Sequence, residues 1–131
     1  MKSKQELFNT IATHLLTQNE QAMNDDGSCR YREGTLKCAL GCLIPDELYD
    51  PAMEGGALTP MYSSGESSRL TRSIFSKILG YSSVESMDYD GISKFLNHLQ
   101  VIHDSSRPIY WKHELLNFTE KWNLEIPEIL K

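Results

Sequence analysis

Apolar residues recur at helical spacing in four stretches of this chain. Leu7, Phe8, Ile11, Ala12, Leu15 and Leu16 form one stripe, which predicts a helix over residues 3–23. Ser3 with Glu6 three residues on suits a capping box, and Asn24-Asp25-Asp26-Gly27 reads as the stop. Residues 67–80 place Leu70, Ile74, Phe75, Ile78 and Leu79 inward and Arg69, Arg72 and Lys77 outward, with Gly80 as the closing residue. Asp90 is placed to cap a third helix carrying Ile92, Phe95, Leu96, Leu99 and Ile102. Pro108, a first-turn residue, opens a fourth with Trp111, Leu115, Phe118 and Trp122 on one stripe.

The pattern changes to alternation over residues 28–39, which predicts a two-stranded β-hairpin turning at Glu33-Gly34. Counting outward pairs Arg32 with Thr35, Tyr31 with Leu36, Arg30 with Lys37 and Cys29 with Cys38. Cys29, Tyr31, Leu36 and Cys38 then face inward, and Arg30, Arg32 and Lys37 form a cationic outer face. Residues 39–44 read as a tight buried turn, and 45–49 as a short helical turn. Residues 50–66 are a Gly/Pro/Ser-rich loop; Met53, Met61 and Tyr62 within it, with Tyr49 at its edge, suit either an interface or a clip onto the core. The expected architecture is mainly α: a single domain over residues 1–131, with four main helices, short helical turns and the inserted hairpin.

A net charge of −5 opposes diffuse nucleic-acid binding, so no direct nucleic-acid contact is expected. No apolar run is long enough to span a bilayer, and the N-terminal stretch reads as a helix rather than a signal peptide, so the expected location is cytoplasmic. Three cysteines fit a disulfide framework poorly.

Two motifs occur together. The first is C-x-Y-R followed by G-x-x-K-C-A-x-G-x-L-I-P-D-x-x-Y-x-P-x-M-E-G, from Cys29 through Tyr31, Arg32, Gly34, Lys37, Cys38, Pro45, Asp46, Tyr49, Met53 and Glu54 to Gly55. The second is L-Q-x-I-H-D, from Leu99 through His103 to Asp104, followed by Trp111. The pair resembles a family of small uncharacterised phage, prophage and bacterial proteins. That resemblance implies a mobile-element origin and an accessory role in binding host factors.

Among catalytic chemistries, Cys29, Cys38 and Cys42 with one histidine could bind zinc, but they lack a C-x2-C knuckle. A cysteine nucleophile would need a base such as His103. His103-Asp104 alone lacks the further ligands of a metal-dependent phosphohydrolase and suits a core histidine better. No catalytic residue, metal or cofactor is assigned. The candidate binding residues are Arg30, Arg32, Lys37, Tyr49, Glu54, Arg69, Arg72 and His103. The expected function is non-covalent binding of a host protein, as an inhibitor or in counter-defence. The alternative is a small ligand, or a substrate, bearing phosphate and held by Arg30, Arg32 and Lys37, with His103, Asp46 or Glu54 as acid or base.

Overall fold

The computed structural model describes residues 2–59 and 65–131, and the expectations on Met61 and Tyr62 lie outside them. The protein is mainly helical, with one two-stranded antiparallel ribbon. Its helices are α1 (Lys4–Gln18), α2 (Glu66–Leu79), α3 (Val84–Tyr89), α4 (Ile92–Ser105) and α5 (Pro108–Lys121). Strands β1 (Arg32–Glu33) and β2 (Leu36–Lys37) form the ribbon, and 3₁₀ turns occupy Gly41–Leu43, Asp46–Leu48, Pro51–Met53 and Glu128–Leu130. The chain divides into two compact units: Leu43–His98, and Lys2–Cys42 with Leu99–Lys131.

In the second of these units α1 packs on α5, and Phe8 stacks on Phe118 with ring centroids 5.3 Å apart. Leu7, Phe8, Ile11, Ala12 and Leu15 are buried, as the stripe requires, and Ser3 and Glu6 form the expected capping box. The helix ends earlier than its composition suggests. Asn19 adopts the left-handed conformation (φ 53°) and returns its N–H to the Leu15 carbonyl at 2.8 Å, which closes α1 at Gln18. Asn24–Gly27 forms a separate loop inside a bridge between Met23 and Cys29.

The hairpin register also differs from expectation. Arg32 faces Lys37 and Glu33 faces Leu36, so the loop is Gly34-Thr35. Gly34 has φ 61° while Thr35 stays at negative φ, the pattern of a type II′ turn, which takes Gly at its first central position. The slip moves each pairing by two residues and therefore preserves the faces: Tyr31 and Cys38 remain buried.

In the unit Leu43–His98, α2 packs on the turn Pro51–Met53 and on α3. Its buried face includes polar Ser68, Thr71 and Ser76 beside Ile74, Phe75 and Leu79. Thr71 donates to the Met53 carbonyl at 3.1 Å, and Ser68 accepts the Ala57 N–H at 3.0 Å. Gly56 lies so close to Ser67 and Thr71 that a Cβ there would collide with both. The start of the Gly/Pro/Ser-rich loop is therefore ordered by polar contacts, with Met53 and Leu58 buried. Helix α3 escapes the periodicity argument because only Val84 and Met87 mark its apolar side. Asp90, expected to cap α4, accepts the Tyr81 hydroxyl.

Candidate functional site

The motif residues on the hairpin are fixed by α1. The Gln18 side chain accepts the Lys37 N–H at 2.9 Å and donates to the Lys37 carbonyl at 2.8 Å. His14 Nε2 donates to the same carbonyl at 2.8 Å, and burial holds the His14 pKa below its ordinary value. Lys37 thus sits at the edge of an open groove of about 830 Å³ lined by Asn9, Thr10, Thr13, His14, Thr17, Gln18 and Thr35.

Arg30 and Arg32 are half-buried rather than extended into water, and their Nε atoms are shielded from solvent. Arg30 Nε is 3.9 Å from Glu33 Oε2. The cationic face persists at the Arg32–Lys37 pair but is less exposed than alternation alone predicts.

A polar node lies behind the hairpin. The His103 ring is fully buried and stacked on Trp111 at 5.5 Å. Its Nε2 accepts the Ala22 N–H at 3.0 Å, so the proton resides on Nδ1, which donates to Asp104 Oδ1 at 2.7 Å. Gln100 links Asp104 Oδ1 (2.8 Å) to the Leu40 N–H (3.0 Å), which ties the exit of the hairpin to α4. Gln21 donates to the His103 carbonyl at 2.8 Å and to the Ser106 carbonyl at 3.3 Å, capping the end of α4 from outside. His103 was an expected partner-binding residue; its burial removes it from any surface that receives a partner.

Cys29 completes this node. Cys29, His103 and Asp104 present potential ligand atoms within 4.8 Å of one another, the one such grouping among the described residues. The hydrogen bonds oppose metal binding. Nε2 is occupied as an acceptor, so ligation through Nδ1 would require either a doubly deprotonated ring or loss of the buried Ala22 bond. They also oppose thiolate chemistry. Burial, and then the Asp104 charge and its hydrogen bond to the thiol, push the Cys29 pKa up to about 12. Burial likewise raises the Cys42 thiol to about 12 and Cys38 further. Both ring nitrogens of His103 are already engaged, so neither acts as a base toward Cys29.

The remaining candidates lie in the unit Leu43–His98. The Tyr49 hydroxyl donates to Glu54 Oε2 at 2.7 Å, bracing the turn Pro51–Met53. Arg72 pairs with Asp88 of α3, and Arg69 is exposed on α2. The sequence reading passed over Gln18 and Gln21 and gave Gln100 no role beyond its place in the second motif; a glutamine amide carries no pattern until its backbone partners are known. Comparison with protein-family models, curated proteins and solved structures finds no match to this chain.

Proposed function

We propose that this chain acts by non-covalent binding of a host protein, as a phage-type accessory protein in the host cytoplasm with an inhibitory or counter-defence role. The observation that supports a binding rather than a catalytic reading is the internal satisfaction of the Cys29–His103–Asp104 node, whose protons are all committed to structural bonds. The binding surface is the hairpin: Arg32 and Lys37 oppose each other on an otherwise acidic chain, and Gln18 and His14 hold the backbone at Lys37 rigid. A preorganised charged patch favours selective docking and fast encounter. The test is affinity capture from bacterial lysate with the wild-type chain and with Arg32→Glu/Lys37→Glu. The expected result is a stoichiometric partner lost in the variant at unchanged helicity. Equal capture by both, or turnover of a small substrate by the wild type, would reject the reading.

One observation favours a small phosphorylated ligand as a second reading. The groove beside Lys37 has four threonines and no carboxylate among its lining residues. Thermal stabilisation by nucleotides or sugar phosphates, lost in Lys37→Gln, is its expected signature.

A further inference from the structure

Between α2 and α4 the chain builds a second concave surface within ten residues. Tyr81, Glu85, Ser86, Tyr89 and Asp90 line an open hollow of about 540 Å³. Gly80, at φ 81°, ends α2 and turns the chain; Ser83 then caps α3, its hydroxyl accepting the Ser86 N–H at 3.1 Å. Those two devices fix where Glu85 and Tyr89 project.

The lining has an unusual combination of groups. Tyr89 is 96% exposed, more than any other large hydrophobic side chain among the described residues, so the fold makes almost no use of its ring. Tyr81 donates its hydroxyl to Asp90, which fixes the ring and leaves it neutral. Glu85 is exposed and forms no ion pair among the described residues. The lining thus holds two aromatic rings and two carboxylates, with no Lys or Arg, in a chain that has 13 of these.

We propose that this hollow receives an arginine side chain of a protein partner. Ring faces attract a cation, and a carboxylate accepts the guanidinium fork with two parallel hydrogen bonds. Guanidinium suits such a site better than ammonium, because it is planar, stacks on aromatic rings and sheds water more readily. The hollow is opposite in charge to the hairpin face, so it selects a different chemical feature of a partner. It does not depend on the hairpin reading and stands if that reading fails.

The test is an amide NMR titration of the full chain with the peptide acetyl-Gly-Arg-Gly-amide and with its citrulline counterpart, which keeps the shape and removes the charge. The expected result is saturable shifts confined to residues 80–91, weaker for citrulline by at least about fivefold. Tyr89→Ser and Glu85→Gln should each abolish them, and Tyr89 is too exposed for its replacement to unfold the chain. No shifts at millimolar peptide, or equal shifts with citrulline, would overturn the proposal. So would equal binding of a lysine peptide. Concentration-dependent shifts without peptide would assign the hollow to a second copy of the chain and overturn it too.

Discussion

The Ala22 N–H donates to His103 Nε2 at 3.0 Å across 81 positions of sequence, in a fully buried setting. This bond ties the segment after α1 to the end of α4 and fixes the tautomer that engages Asp104. His103→Ala would strand a buried N–H and leave a void against Trp111, at a cost of about 3–4 kcal/mol. His103→Gln places an acceptor near the Nε2 position and should cost about half as much. Urea unfolding of the two variants checks the order; equal losses would show that packing on Trp111, not the bond, is what matters.

The thiols should be unreactive in the folded chain. With Cys29 and Cys42 raised to about 12 and Cys38 buried, alkylation at pH 8 is expected to be on the order of a thousandfold slower than for a free cysteine. Unfolding in guanidinium should restore ordinary rates. Asp104→Asn removes a charge that opposes the thiolates of both Cys29 and Cys38; it should speed labelling chiefly at Cys29, because Cys38 stays shielded by burial, read by peptide mass mapping. Fast labelling of Cys29 in the native wild type would contradict the node as described.

His14 gives the stability a pH dependence. Burial lowers its folded pKa below the ordinary 6.5, so the unfolded chain binds a proton more readily as the pH falls through that value. The native state is therefore fully favoured above about 6.5, loses stability as pH drops toward the lower folded value, and levels off beneath it. Unfolding free energies between pH 7 and 5 (roughly the range where histidine titrates) should slope accordingly and flatten in His14→Gln. An unchanged slope in that variant would assign the effect elsewhere.

Two glycines separate conformational from steric demand. At Gly34 a Cβ meets nothing, and the only penalty is the positive φ, about 1 kcal/mol for Gly34→Ala. At Gly41 a Cβ would fall on the Tyr31 carbonyl, so Gly41→Ala forces the hairpin from the turn that follows it, at about 2–3 kcal/mol or more. Thermal melts of the two variants should rank them in that order.

Much of the helical framework was legible because burial imposes a period: the stripes of α1, α2, α4 and α5 read directly from Leu, Ile, Phe and Trp spacing. The hairpin was legible in its existence and faces, but its register hinged on which turn position Gly34 fills, a matter of backbone φ that composition leaves open. The end of α1 went unread because a single Asn19 in a left-handed conformation does what the Asp/Gly run downstream suggested more loudly. The candidate site was half legible. Arg32 and Lys37 are on the expected face, and His103 is the core histidine that the sequence suggested beside its naming as a binding residue; the distant backbone N–H that holds its ring is what composition leaves open.

Gln18 has a consequence beyond holding Lys37 in place. A short ribbon with a bare flank invites another chain to add a strand, which is how edges seed domain swapping and fibrils. By giving the Lys37 peptide both an acceptor and a donor, one amide imitates the missing neighbour and closes the ladder with the protein's own helix. Replacing it with an apolar residue would leave that flank open to intruding strands, so this glutamine guards solubility as well as shape.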